Sequence, residues 1–278
     1  MDYFQIILLG IIQGLTEFFP VSSSGHLILV PRLFGFEDQG LAVDAILHLG
    51  TLLAIIIYFR KDLLRLLFAL FNRGNDPEYH KLAWYIGWAS FPAGIIGLLM
   101  GDMIEQHLRN PTFVAWNLIF WSFVFLAAQR YSAVQVSTES DVSRMTLGQV
   151  FFIGCAQAIA LLPGTSRSGI TITGGLFTKL SPTAAVRFSF LLGAPIILAA
   201  GAKKMLDYIS DPELMTQLSI SQLGVGLLVS FAVGYLAIKL LLGIVSRLGL
   251  MPFIIYRVLL AISILIFSLN QNKLLIPI

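Results

Sequence analysis

Apolar residues run along this chain in long stretches separated by short polar turns. Six stretches are long enough to cross a bilayer, near Leu41–Phe59, Leu82–Met100, Thr112–Gln129, Ala184–Ala202, Leu223–Leu242 and Pro252–Leu269; a crossing takes about 20 residues. Two further segments, Phe4–Pro31 and Gly148–Lys179, are apolar at both ends and broken in the middle. The breaks read Pro20-Val21-Ser22-Ser23-Ser24-Gly25-His26 and Pro163-Gly164-Thr165-Ser166-Arg167-Ser168-Gly169. Each half-segment is too short to span. The pattern predicts a re-entrant helical hairpin with a polar tip at each break, since irregular backbone at membrane depth needs protein or a wet cavity around it. The expected fold is an all-α integral membrane protein with six transmembrane helices and two re-entrant helical hairpins.

The broken segments are related to each other. Gly10-Ile11-Ile12-Gln13 aligns with Gly154-Cys155-Ala156-Gln157, and at the same offset Ser22-Ser23-Ser24-Gly25 aligns with Ser166-Arg167-Ser168-Gly169. Further on, Leu49-Gly50 resembles Leu192-Gly193, and Phe91-Pro92-Ala93-Gly94 resembles Phe231-Ala232-Val233-Gly234. The chain therefore reads as a single membrane domain of two pseudo-symmetric halves, about 1–140 and 141–278. Each half holds one hairpin and three spans. Three is odd, so the second half enters the membrane upside down. Inverted repeats of this kind place a site at their interface, built from broken helices near the bilayer midplane.

Composition agrees. The 278 residues are 57 % hydrophobic and only 12 % charged, against about 25 % charged in an average soluble domain. That excludes a secreted disulfide scaffold and a disordered chain. The net charge of +3 is not read as nucleic-acid binding, because no run of five or more basic residues occurs. Basic residues report topology instead. If each hairpin returns to its own side, one face carries Arg60, Lys61, Arg65, Arg73, Lys81, Arg130, Arg144, Lys179, Arg187, Lys239 and Arg247. The other carries only Arg32, Arg109, Lys203, Lys204 and Lys273. The richer face is expected to be cytoplasmic, with both termini outside. No cleavable signal peptide is expected, because the start lacks a basic region and its apolar stretch holds Gln13 and Glu17. The lone cysteine, Cys155, is expected as a small buried filler.

Candidate chemistry gathers at the breaks. Of the 15 carboxylates, Glu17 alone sits deep in an apolar segment without a loop beside it. A charge there costs about 2.5–3.5 kcal/mol or more, so it should face an interior cavity with a partner. Gln13 lies one turn earlier on the same face. Around them come the hydroxyls of Ser22, Ser23 and Ser24, the glycine amides of Gly25 and Gly169, His26, and from the second tip Thr165, Ser166, Arg167 and Ser168. Glycines let backbone N–H groups approach an anion, and the helices after each tip present positive N-termini. A guanidinium fork matches phosphate oxygens. The set suits a phosphate or diphosphate bound at the membrane. Plainer readings exist: Glu17 as a structural ion pair with Arg167 or Arg257, and His26 as a helix cap. Arg257, in the last span, needs either a buried partner or a phosphate. Asp44 and His48 read either as lining the site entrance or, the reading preferred, as an ordinary interfacial pair. The segment Asp62–Phe71 reads as a short interfacial helix with Arg65 on its wet side.

The run Gln13-Gly14-Leu15-Thr16-Glu17-Phe18-Phe19-Pro20-Val21-Ser22-Ser23-Ser24-Gly25-His26 resembles the first signature of the bacterial undecaprenyl-diphosphate phosphatases of the bacitracin-resistance type. Pro163-Gly164-Thr165-Ser166-Arg167-Ser168-Gly169 resembles the second. That resemblance implies hydrolysis of undecaprenyl diphosphate to the monophosphate and inorganic phosphate. It further implies a divalent cation, magnesium or calcium, and a site in the bacterial inner membrane open toward the periplasm. The family pattern has an acid or glutamine, three residues, then glutamate; with Gln13 in first place, Glu17 is the remaining acidic metal ligand. Arg167 is expected to grip the phosphates, with Ser22, Ser24, Thr165, Ser166, Ser168 and the glycine amides completing the cradle. Two mechanisms stay open: attack by Ser23 with His26 or Glu17 as base, or attack by a cation-activated water with His26 protonating the leaving lipid phosphate. The substrate partner is a polyprenyl diphosphate lipid, and a homodimer is left open. Two rivals stand beside this reading. One is a transporter or flippase of polyprenyl phosphate, because inverted repeats with broken helices also build carriers. The other is the acid-phosphatase-like lipid phosphatase class, which has Thr173 against it, where that class would place a histidine.

Overall fold

The computed structural model describes residues 1–37, 39–72, 74, 76–134, 142, 145–210 and 219–274, without the side chains of 41, 42, 105, 207 and 270–274. Arg73 and Arg144, counted in the charge asymmetry, lie outside the described residues, as does the side chain of Lys273. Every regular element among the described residues is a helix. In chain order these are α1 (Tyr3–Phe18), α2 (Ser23–Phe34), α3 (Gly40–Tyr58), α4 (Arg60–Phe71), α5 (Pro77–Leu108), α6 (Pro111–Val134), α7 (Leu147–Ile159), α8 (Arg167–Phe177), α9 (Pro182–Ser210), α10 (Ile220–Leu248) and α11 (Met251–Leu274).

Their starts are written locally. Asp2 caps α1, Thr146 caps α7 and Ser219 caps α10, each completing a capping box with the glutamine three residues on. Such a box satisfies two of the orphan N–H groups at a helix start. Asp76 caps α5, with Pro77 in the first turn, where its missing N–H costs nothing. Helices α5, α6, α9, α10 and α11 are long and apolar enough to cross a bilayer. Helix α3 makes a sixth if it is taken together with α4, from which it is bent by 81°. The apolar helices α1 and α7 are shorter than a span.

The short helices lie against long ones. Helix α1 packs on α10, and Tyr3 Oη meets Ser221 Oγ at 2.9 Å where both helices begin. Helix α7 packs on α5 in the corresponding way. Small residues set these approaches. A Cβ at Gly14 would stand 2.8 Å from Val233 Cβ, and one at Gly154 would stand 2.7 Å from the Ala89 carbonyl oxygen. Helix α3 packs on α9 and α10, and α6 packs on α11. Phe18, Phe125, Phe188 and Phe190 fill the centre, fully buried. The outward faces carry Trp84, Trp88, Trp116, Phe120 and Phe123, as a lipid-facing surface requires.

Helix α4 covers Asp62–Phe71, the segment expected as a short helix. Arg65 donates to Asp76 Oδ2 at 2.7 Å, and that bond holds the half-buried Asp76 carboxyl below the usual carboxylate range. Arg187 of α9 pairs with Asp62 of α4, which also accepts from Tyr79 Oη at 2.6 Å. One expectation fails. Cys155 is exposed, on a face of α7 it shares with the exposed Phe151, Phe152 and Ile159. The apolar run around it reflects contact with lipid, not burial in protein.

Candidate active site

Both breaks adopt one local geometry. The residue before α2 is Ser22, at φ 74 and ψ 95; the residue before α8 is Ser166, at φ 76 and ψ 109. Positive φ on a residue with a Cβ costs about 1–3 kcal/mol and persists only where the surroundings impose it. The serine side chains supply part of that imposition. Ser22 Oγ accepts from Gly25 N at 3.3 Å and lies 3.2 Å from Ser24 Oγ. Ser166 Oγ accepts from Gly169 N at 3.2 Å and lies 3.3 Å from Ser168 Oγ.

The breaks touch each other. Ser22 Oγ accepts from Gly164 N at 3.2 Å, and Ser168 Oγ donates to the Phe19 carbonyl at 3.3 Å. Thr165, fully buried, accepts from Asn117 Nδ2 at 2.8 Å, and the same amide donates to the Pro163 carbonyl. The hydroxyls of Ser22, Thr165, Ser166 and Ser168 are therefore engaged in building the tips. Ser24 is exposed and Ser23 half-buried.

Glu17, at the end of α1, is the centre of the arrangement. It is buried in the membrane domain and must be paired. Its Oε1 accepts from Arg167 Nη2 at 2.6 Å. Its Oε2 accepts from Ser23 Oγ at 2.7 Å and from Gln13 Nε2 at 3.1 Å. His48 Nε2 stands 3.8 Å from the same oxygen, while His48 Nδ1 meets the Asp44 carbonyl at 2.6 Å. Arg167 is steadied by Nη1 donating to the Ser189 carbonyl at 3.3 Å. Glu17, Ser23, Gln13 and Arg167 thus come together as the sequence predicts.

His26 faces elsewhere. Its Nδ1 meets the Ser22 carbonyl and its Nε2 meets Tyr256 Oη, both at 2.7 Å, and the two rings stack. Neither nitrogen is bonded to Ser23, Glu17 or Arg167.

Two residues outside the predicted set enter the site. His48, read from sequence as interfacial in preference to lining the site entrance, touches Glu17. Asp44 is buried; it accepts from Gln39 Nε2 at 2.8 Å and lies 3.5 Å from Arg109 and from Lys204. The signal for both was their one-turn spacing at the start of an apolar span, which alone does not tell a water-facing end from a cavity wall. A cavity of about 340 Å³ opens beside them, lined by Ser24 and His48, by apolar groups of Leu27, Ile28 and Ile196, and by Arg109, Lys203 and Lys204.

Among the described residues, no group of three or more His, Cys, Asp or Glu could hold a metal ion. A magnesium-like ion needs only one or two carboxylates when phosphates and waters complete its shell. Glu17 supplies one such carboxylate. Gln13 Oε1, a buried amide oxygen with no hydrogen-bond partner among the described residues, adds a neutral oxygen.

The profile of the family described as bacitracin resistance protein BacA matches residues 6–263. An undecaprenyl-diphosphatase of Saccharophagus degradans is 43 % identical, over 94 % of this chain and 96 % of its own length. Undecaprenyl-diphosphatase 2 of Stutzerimonas stutzeri is 42 % identical over 96 % and 99 %. An undecaprenyl-diphosphatase of Teredinibacter turnerae is 40 % identical over 96 % and 99 %.

Proposed function

The chain belongs to the BacA family of bacitracin resistance proteins, and from that premise we propose that it cleaves the phosphoanhydride bond of undecaprenyl diphosphate, leaving undecaprenyl phosphate and inorganic phosphate. The activity is a membrane-bound hydrolysis that recycles the lipid carrier for cell-wall synthesis. The observation that carries it is the cluster of Glu17, Ser23 and Arg167, drawn from both breaks.

Charge on the transferred phosphoryl group has to be met by positioned donors and cations. Arg167 supplies the guanidinium, with its Nη2 already turned into the site by Glu17. Ser23 Oγ attacks the terminal phosphorus as its proton passes to Glu17 Oε2. The anhydride bond breaks and undecaprenyl phosphate leaves, carrying off the proton that Glu17 took up. Water then attacks the phosphoserine, its proton passing to Glu17 and from there to Ser23 Oγ as the P–O bond to serine breaks and inorganic phosphate is released. Glu17 is favoured over His26 as proton acceptor because it, and not His26, is bonded to Ser23. His26 fixes the start of α2 and the Tyr256 hydroxyl. Ser24 borders the bound headgroup, while Ser22, Thr165, Ser166 and Ser168 hold the tips that present it; the Gly25 and Gly169 amides, expected in the cradle, instead donate to Ser22 and Ser166 and belong to the tips. A bound magnesium or calcium ion, held by Glu17 with Gln13, would neutralise phosphate oxygens.

The apolar wall of the cavity suits the first isoprene units, the rest of the chain lying in the bilayer. The two-halves reading, with re-entrant tips meeting between six spans, is supported by the matched geometry of Ser22 and Ser166 and by the matched packing of α1 on α10 and α7 on α5. Periplasmic termini follow from the basic asymmetry, and a periplasmic opening from the family resemblance. Arg187 near one end of α9, and Lys203 and Lys204 near the other, suit the two opposed faces.

Purified protein in detergent, with no gradient, is expected to release inorganic phosphate from undecaprenyl diphosphate. Chelation is expected to stop the release, and magnesium or calcium to restore it. No release under these conditions would contradict the hydrolase reading and favour a carrier.

The fit of Arg167 gives a second expectation. A Cβ at Gly193 of α9 would collide with Arg167 Nη1 and stand 2.6 Å from its Cζ. Gly193→Ala should therefore push the guanidinium aside and slow turnover by up to about 100-fold, the scale of an ångström-sized misplacement. Gly87→Ala, whose Cβ would meet nothing within 4 Å, should turn over like wild type.

A further inference from the structure

Arg257 of α11 is fully buried, the largest side chain so enclosed among the described residues. Its partners include no carboxylate among the described residues. Nε donates to Ser122 Oγ at 3.2 Å and Nη2 to the Leu118 carbonyl at 3.3 Å, both on α6. Nη1 donates to the Pro20 carbonyl at 3.3 Å and Nη2 to the Gly164 carbonyl at 3.0 Å. The guanidinium lies over the Phe125 ring, 4.6 Å from its centroid. An ion this deep is retained only where its donors are met, and here they are met by three backbone carbonyls and one hydroxyl.

The choice of backbone is informative. Pro20 opens the first break and Gly164 lies in the second. The offset that relates Gln13 to Gln157 and Ser22 to Ser166 also relates Pro20 to Gly164. One rigid fork therefore takes the corresponding carbonyl of each break. Gly164, at φ 92, also gives its own N–H to Ser22 Oγ, so this clasp continues directly into the serine that starts α2.

We propose that Arg257 is the positioning residue that keeps the two breaks in register, and so keeps Ser23 and Glu17 of one opposite Arg167 of the other. It touches neither Glu17 nor Arg167 and acts through the backbone of both tips. A lysine keeps the charge without the planar fork and cannot hold both carbonyls at their present spacing. A methionine keeps much of the volume without the charge.

The proposal rests on the phosphatase reading for its activity arm and not for its spacing arm. In the first arm, Arg257→Lys and Arg257→Met are compared with wild type on undecaprenyl diphosphate. Both are expected to elute and melt like wild type in detergent, with kcat reduced at least about tenfold and KM within about threefold, the split expected when groups are misplaced for the reaction and binding is spared. In the second arm, spin labels at Ser24 and Leu161, on either side of the clasp in a Cys155→Ser background, report the distance between the breaks. With Arg257→Lys the distribution is expected to lengthen or broaden. Turnover at the wild-type rate overturns the proposal, and so does slow turnover with an unchanged distance distribution. Should neither Arg257 variant fold, Ser122→Ala removes one acceptor of the fork and is expected to broaden the same distribution; an unchanged one is equally fatal. If wild type releases no phosphate, the functional reading fails and the spacing measurement still decides the role of Arg257.

Discussion

Purified Arg167→Lys is expected to hydrolyse undecaprenyl diphosphate at least about a hundredfold more slowly than wild type, the loss typical when a preorganised donor to developing charge is removed. The reason is geometric. Arg167 uses one terminal nitrogen on Glu17 Oε1 and the other on the Ser189 carbonyl, so its plane is fixed before substrate arrives. A lysine supplies one compact charge. It can neutralise Glu17 or meet a phosphate oxygen, and not both in a fixed plane. Folding should survive, because the buried carboxylate keeps a cationic neighbour. Arg167→Ala should lose more, since breaking a buried pair costs about 3–5 kcal/mol. The check is kcat beside a melting profile in detergent. A lysine variant within tenfold of wild type would remove Arg167 from the phosphate grip.

The larger effect is expected at Ser23. Ser23→Ala should lower kcat by about a thousandfold or more, the scale of removing a nucleophile that works with its base as a unit. Ser23 Oγ lies 2.7 Å from Glu17 Oε2, within the range of a productive nucleophile–base contact. Rapidly quenched wild type should carry a phosphoryl group on the peptide containing Ser23, and the alanine variant should not. His26→Ala should act differently. Its nitrogens face the Ser22 carbonyl and Tyr256 Oη, so kcat should fall with a loss of stability and with phosphoserine still detectable. An alanine at Ser23 that keeps a tenth of the wild-type rate would transfer the attack to water.

Glu17 was legible in the sequence because it stood without a loop in apolar surroundings, where a lone charge has to have a purpose. The tips were legible because hydroxyl and glycine residues interrupt apolar runs in the same order twice. Arg167 followed from its place in the second tip. What sequence could not supply was the third dimension of the long helices. His48 and Asp44 sit one turn apart at the start of an apolar span, and only packing of α3 against α9 shows that they face a cavity. Arg257 needed a partner, yet nothing in one dimension could name two carbonyls on separate breaks. Cys155 was misplaced because a residue in contact with lipid and one in a protein core belong to the same apolar run. The long helices exceed the apolar stretches that announced them. Helix α5 runs from Pro77 to Leu108, since polar residues such as Glu78 and His107 continue a helix beyond the greasy part.

A double-mutant cycle on phosphate release addresses the central claim, that Glu17 and Arg167 act as one unit across the two breaks. Wild type, Glu17→Gln, Arg167→Met and the double variant are compared at saturating undecaprenyl diphosphate. Groups in direct contact are strongly non-additive. The double variant is therefore expected to be no slower than the slower single variant. Losses that simply multiply, or a single variant that turns over like wild type, would contradict the account.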